Sequence, residues 1–316
     1  AKGDPFHSGV IAAIAEHTGF DSRDAELVVG TSAGSFTATA LRAGLSPIDA
    51  EARHLGRELS AEGAAIVERI VTPYAEPEVE RSLLPSAPRM TLNAMLPPWN
   101  IDPARFAYGL LPDGKRSGAS IAARIDELLP DGWPKRPTWI VAVRTNDGRR
   151  IVFGRDDVTG TVGQATQASS AIPAFYTPVR IGDRSYVDGA LHSSTNADLV
   201  ATLGFDLVIV SSVTTATADA RSWRSDPERE WFSNRGVDHL EVHVGIRGLG
   251  SELVDLGHEG QDPATGPDHR VGCGYLVADP DLQPAEVKDL ELPTRATGGL
   301  DHHEVVGVIA VKRVAA

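Results

Sequence analysis

The chain has 316 residues, and 41% of them are hydrophobic, enough for a sizeable core and too many for global disorder. Thirty bases against 43 acids leave a net charge of −13, which disfavours nucleic acid and anionic surfaces as general partners. One cysteine, Cys273, excludes an intrachain disulfide and a Cys-based zinc site. It suits a reducing compartment, so a cytoplasmic location, peripheral to a membrane at most, is expected. No apolar run reaches the roughly 18 residues that a membrane-crossing helix needs.

In chain order, residues 8–17 carry apolar positions at helical spacing and read as a helix ending near Gly19. Residues 26–30 read as a short buried strand, 31–34 as a turn, and 35–43 as a helix stopped by Gly44. Helix, strand, tight turn and helix within 45 residues is α/β patterning. It predicts a mainly parallel central sheet sandwiched by helices. Helices follow at 47–58 and 60–71.

The character changes at 72–116, where eight prolines interrupt any regular element. Leu83, Leu84, Met90, Leu92, Met95, Leu96, Trp99 and Phe106 lie between them. This apolar, irregular insertion has two readings. Its residues form an acyl-chain pocket wall or a lid that touches a lipid surface, or they close an ordinary core under a loop. Bases are sparse here, so any membrane contact rests on apolar area more than on charge.

A helix is predicted to resume at 118–129, with strands at 138–144 and 150–154 joined across Asn146-Asp147-Gly148. A helix at 161–170, a hairpin across Gly182-Asp183, a helix at 196–203 and a strand at 206–213 complete the legible part. Beyond it the signal fades. Residues 219–316 hold 18 acids and 10 bases and six of the ten histidines. No metal-loop spacing is present there, so a solvated surface is favoured over a metal site. Gly245 to Gly250 lacks the helix and acidic partner of a dinucleotide loop. No metal or organic cofactor is expected.

Two constellations carry chemistry. Gly30-Thr31-Ser32-Ala33-Gly34 places a serine between a strand and a helix. On such a turn the hydroxyl projects clear of the backbone, glycines relieve the clash, and the helix N-terminus faces a forming oxyanion. The plainer reading of Ser32 is a helix N-cap. The second constellation is Tyr186-Val187-Asp188-Gly189-Ala190, where an Asp-Gly pair follows a hairpin. By itself it reads as a turn. None of the histidines stands in an obvious strand-end context except His192, and each reads more readily as a surface or satisfied core histidine.

Together with Ala168 to Val179, ASSAIPAFYTPV, these segments resemble the patatin-like phospholipase family over roughly residues 1–213. The resemblance implies a three-layer α/β architecture and a Ser–Asp dyad, with Ser32 as nucleophile and Asp188 as base. Gly30, Ala33, Gly34 and Gly189 would form the surroundings of that elbow. It also implies a glycine-rich oxyanion loop, of which Ala1-Lys2-Gly3 matches the tail. The numbering is therefore expected to start after a segment that holds the rest. The implied substrate is a lipid ester, with Leu92, Leu96, Trp99 and Phe175 as candidate contacts and transient contact with a membrane surface. The expected organisation is a catalytic core at 1–213, containing the insertion, and an extension of the same domain at 214–316. A Ser–His–Asp esterase using His192 or a later histidine, and a noncatalytic lipid-binding relative, are the competing readings. The sequence leaves head-group preference and oligomeric state open.

Overall fold

A computed structural model describes residues 3–71, 73–75, 77, 79, 85–94, 108–193, 195–200, 203–205 and 207–212. It also describes the backbone of three later strands, at 238–245, 272–276 and 307–312. The insertion positions Leu83, Leu84, Met95, Leu96, Trp99 and Phe106, together with Lys2, lie outside the described residues.

The first helix, α1 (Asp4–Thr18), starts four residues earlier than the periodicity suggests. Pro5 lies in its first turn, where a missing N–H costs nothing, and Gly19 ends it in the left-handed conformation. Strand β1 (Leu27–Thr31) is buried throughout and feeds α2 (Ala33–Arg42). Ser46 caps α3 (Pro47–Leu55) by accepting the Asp49 N–H, and α4 (Ala61–Val71) follows. The insertion is more regular than its prolines imply. Pro88 opens a short helix, α5 (Pro88–Ala94), and residues 108–110 make a further helical turn.

Next come α6 (Ala119–Leu128), the strands β2 (Thr138–Arg144) and β3 (Arg150–Phe153), and α7 (Val162–Ser169). Thr161 and Gln164 close a reciprocal capping box on α7, satisfying two backbone donors at its start. The hairpin β4 (Val179–Ile181) and β5 (Arg184–Asp188) follows. The helix expected at 196–203 is only a single 3-10 turn, Ala197–Leu199, entered by Asn196 in the left-handed region. Strands β6 (Leu207–Ser212), β7 (Asp238–Gly245), β8 (Gly272–Leu276) and β9 (Gly307–Lys312) complete one sheet.

The α/β class and the helix-flanked sheet stand as expected, and the sheet itself is mixed. Pairing is parallel at β1–β2 and β6–β7 and antiparallel at the other described pairs. Strand β9 returns from the far end of the chain and slots antiparallel between β1 and β6, and the pairs β2–β3, β2–β5, β4–β5 and β7–β8 supply the other antiparallel contacts.

Alternation along β2 builds the layers. Ile140 and Ala142 point into a core shared with α1, α2, α3, α4, α6 and α7. Val141 points the other way, into a second core with Val208, Val210 and the 197–200 turn. Apolar residues on both faces of the strands are what a doubly covered sheet requires.

Candidate active site

Strand β1 runs parallel along β2 until Thr31 stands opposite Val141. Strand β5 runs antiparallel, and its last residue, Asp188, stands opposite Ala142. Strand β3 covers Ile140 to Val143 on one edge of β2. A strand has two edges, so β1 and β5 share the other and their C-termini meet head to head along it. Gly189 records how close they come. A Cβ there would lie 2.3 Å from the Val141 carbonyl oxygen and 3.1 Å from Thr31 Cγ2. Residues separated by 156 positions in the chain are thereby brought to one point, with Ser32 leaving β1 and Asp188 ending β5.

Ser32 adopts φ 52° and ψ −122°, a backbone region that residues with a Cβ rarely occupy. Strain of this type costs about 1–3 kcal/mol and persists only where its surroundings enforce it. The enforcement is visible. Gly30 allows the turn, since a Cβ on it would stand 2.6 Å from Ser35 Cα. The Ser32 N–H donates to Ser169 Oγ at 2.9 Å. The Ser32 carbonyl accepts from the Ser35 N–H at 3.0 Å, from Ser35 Oγ at 2.5 Å and from Ser170 Oγ at 3.3 Å. As N-cap of α2, Ser32 makes no side-chain capping bond, so the N-cap reading of its hydroxyl does not hold. Ala33 and Gly34, both buried, form the first turn of α2, whose leading N–H groups have no acceptor within the helix.

Asp188 is 4% exposed. Its N–H donates to the Ala171 carbonyl at 3.1 Å, and its Oδ1 accepts the Ala190 N–H at 2.9 Å. The flanking residues Val187 and Leu191 pack with Ala87, Met90 and Val143, and Tyr108 lies against that cluster. Burial and then the negative charge of Asp188 push the Tyr108 phenol up. The insertion therefore does close a core beside the site through Met90. In the same insertion Leu92 is exposed, as is Phe175 on the loop after α7.

Several supporting residues carry no signal that sequence reading assigns to them. Ser169 and Ser170 stand inside the quoted ASSAIP segment, and only the fold shows that they grip the elbow. Asn196, fully buried, donates to Thr31 Oγ1 at 3.1 Å and accepts from Arg150, which also pairs with Asp198. That set ties the segment after Asp188 to the end of β1.

Gly3, the described part of the expected oxyanion loop, is buried and is the N-cap residue of α1. Next to it Asp4 is 7% exposed and meets three partners. Its carboxylate accepts from Thr37 Oγ1 at 2.7 Å, from Arg53 at 2.5 Å and from His54 Nε2 at 3.2 Å. Burial alone would raise its pKa. The His54 hydrogen bond, the Arg53 charge and the Thr37 hydroxyl outweigh that and hold it down at about 2.

His7, also on α1 and fully buried, shares a 2.8 Å hydrogen bond through Nδ1 with Ser211 Oγ. Burial lowers its pKa to about 4 against a smaller opposing pull from Asp4, so the ring is neutral near pH 7. His192, the nearest histidine to Asp188 in sequence, is exposed. Among the described residues, no group of three or more His, Cys, Asp or Glu side chains is arranged to hold a metal ion.

This geometry can present a hydroxyl nucleophile beside a carboxylate at a helix N-terminus, which is the equipment for acyl transfer. The family model for the patatin-like phospholipases matches residues 2–201, more than half of the chain. That span holds the elbow, the aspartate and the segment that grips them. With the match covering most of its length, the chain belongs to the patatin-like phospholipase family, a family of lipid acyl hydrolases.

Proposed function

We propose that this protein cleaves carboxylic esters of lipids through an acyl-serine intermediate, with Ser32 as nucleophile and Asp188 as its base. The observation that supports this best is the head-to-head meeting of β1 and β5 on one edge of β2, which sets a strained serine beside a buried aspartate.

Ser32 Oγ attacks the ester carbonyl carbon while its proton passes to the Asp188 carboxylate. The tetrahedral oxyanion is held by backbone N–H groups of the α2 start, with Gly3 as a further donor. Collapse expels the alcohol, which takes the proton back from Asp188. Water, deprotonated by Asp188, then attacks the acyl-serine, and collapse frees the fatty acid and restores Ser32. A carboxylate with an ordinary pKa near 3.9 is a weak base, so the scheme depends on oxyanion stabilisation and on the desolvation that Asp188 has. No cofactor enters any step.

Exposed apolar side chains stand on the insertion and on the loop after α7. Leu92, Leu110, Leu111 and Phe175 are exposed, and Arg116 stacks 4.8 Å over the Phe175 ring. They support transient contact with a lipid surface, resting on apolar area.

The test is hydrolysis of p-nitrophenyl esters of graded chain length by the full-length protein, beside labelling with an alkyl fluorophosphonate. Ser32→Ala is expected to abolish both. Asp188→Asn is expected to lower turnover at least 100-fold. His192→Ala should retain most activity; a loss as large as that of Asp188→Asn would favour the Ser–His–Asp reading instead.

A further inference from the structure

We propose that the tract formed by α5, residues 108–117 and the 172–177 loop docks on an anionic lipid surface, with Leu110, Leu111 and Phe175 entering the apolar layer and Lys115 and Arg116 meeting lipid phosphates. The proposal rests on the lipid-ester reading above and deepens it, because it names the charge of the surface from which the substrate is drawn.

Backbone contacts build this tract. On one side the Leu111 carbonyl accepts the Ser86 N–H at 2.9 Å, and Pro85 bridges to Pro112. Gly109 lies so close to α5 that a Cβ on it would collide with Thr91 Oγ1. On the other side the Gly114 N–H donates to the Tyr176 carbonyl at 3.1 Å, and the Arg116 carbonyl accepts the Thr177 N–H at 2.8 Å. Gln167 of α7 donates to the Ser117 carbonyl at 2.7 Å. Residues 109–117 are thus strapped at both edges, and Arg116 stacks 4.8 Å over the Phe175 ring. The 172–177 loop runs on from Ala171, whose carbonyl accepts the Asp188 N–H, so the strap is tied to the segment that holds the aspartate.

Two features of what the strap displays favour a lipid surface. The first is apolar exposure. Six large apolar side chains are exposed among the described residues, and four of them, Leu92, Leu110, Leu111 and Phe175, stand on these segments. Single exposed apolar residues are ordinary, whereas a concentration of them marks an interaction site. The second is charge. Arg89, Lys115 and Arg116 are exposed and have no ion-pair partner among the described residues. Elsewhere Arg23, Arg57, Arg144 and Arg150 each pair with a carboxylate. Asp113 is the one acid within 85–94, 108–118 and 170–178, and burial pushes its carboxyl up, toward the uncharged form. Leucines and a phenylalanine flanked by bases are the composition of segments that lie in a membrane interface.

The net charge of −13 opposes the contact, but salt limits its reach. At physiological ionic strength, exposed charges more than about 8 Å from the surface are largely screened, so the local excess of bases decides. Apolar insertion supplies most of the hold. Each base near an anionic surface adds about a fivefold gain in partition, so the bases supply the choice of lipid.

The test uses the full-length chain carrying Ser32→Ala, so that vesicles are bound without turnover. Binding is read by flotation with vesicles of phosphatidylcholine alone and with about one third phosphatidylglycerol, at about 0.15 M salt. The parent is expected to bind the anionic vesicles at least about tenfold more tightly. Lys115→Gln with Arg116→Gln is expected to lower anionic binding about tenfold and leave phosphatidylcholine binding unchanged. Leu110→Ser with Leu111→Ser is expected to weaken binding to both at least about tenfold. Lys135→Gln with Arg149→Gln makes the same charge change at exposed bases elsewhere and is expected to alter neither.

Equal binding of the parent to both vesicles, or binding to neither, overturns the proposal. So does an equal loss in the Lys135 and Arg149 control, which makes net charge the cause and not this tract. Hydrolysis of p-nitrophenyl butyrate by the chain with Ser32 intact reads the acyl-transfer proposal separately. Its absence beside the expected binding pattern sinks that reading and leaves the docking tract standing. Its presence without vesicle binding does the reverse.

Discussion

Ser32 holds a backbone conformation that it would not choose, and four hydrogen bonds to Ser35, Ser169 and Ser170 keep it there. Ser169 is the member that no local rule would supply, because it acts across 137 positions. Ser169→Ala leaves the buried Ser32 N–H without its acceptor, which costs about 1–3 kcal/mol. We expect a lower urea midpoint together with slower fluorophosphonate labelling, since the same bond fixes the elbow. At Gly30 the constraint is steric: a methyl group would sit within 3 Å of the Ser35 backbone. Gly30→Ala should destabilise the fold by about 1–3 kcal/mol and abolish labelling, which denaturant titration and the labelling assay check together.

At the scale of elements, α7 does two tasks. Its C-terminal Ser169 grips the elbow, and its N-terminus leans on α6. Gly163 makes the second contact possible. A Cβ there would lie 2.2 Å from the Ala122 carbonyl oxygen and 2.6 Å from the Asp126 carboxyl carbon. Asp126 in turn accepts from the Gly163 N–H at 2.8 Å and the Thr161 hydroxyl at 2.8 Å. Gly163→Ala is predicted to push the two helices apart, costing about 1–3 kcal/mol by equilibrium denaturation and slowing labelling at Ser32 through the displaced Ser169. The helix at 161–170 was legible in sequence. The close approach of α6 was not, since a glycine inside a helix says only that something is near.

For the whole molecule, two buried groups make stability depend on pH. The His7 pKa is lowered from 6.5 to about 4, so between those values the unfolded chain binds a proton that the folded chain refuses. Stability is fully present above pH 6.5 and falls by roughly 3 kcal/mol as pH drops to about 4. The Asp4 pKa is lowered from 3.8 to about 2, so a further loss of roughly 2 kcal/mol follows as pH falls through that window. Urea midpoints measured from pH 8 to 2 should therefore decline first through the His7 window and then through the Asp4 window. His7→Gln should remove the first stage alone. A flat profile between pH 6.5 and 4 would contradict the assignment of His7.

Local chemistry in the sequence determined the parts of this protein that local chemistry controls. The glycine-flanked Ser32, the Asp-Gly turn at 188–189, the early strand and helices and the α/β alternation were all readable, because each needs particular residue types within a few positions. The single 3-10 turn at Ala197–Leu199 was not, since Asn196 is spent on Thr31 and Arg150 rather than on starting a helix. Nor were the last three strands. Their place in the sheet depends on β9 pairing at once with β6, about 100 positions before it, and with β1, about 280 before it. The Asp4 cluster and the Ser169 and Ser170 clamps likewise exist only once the helices are packed. Motifs along the chain, through the family they resemble, mark Ser32 and Asp188 as the proposed nucleophile and base. Only the fold decides that they meet, because that meeting depends on strand register and buried hydrogen bonds between residues far apart in the chain.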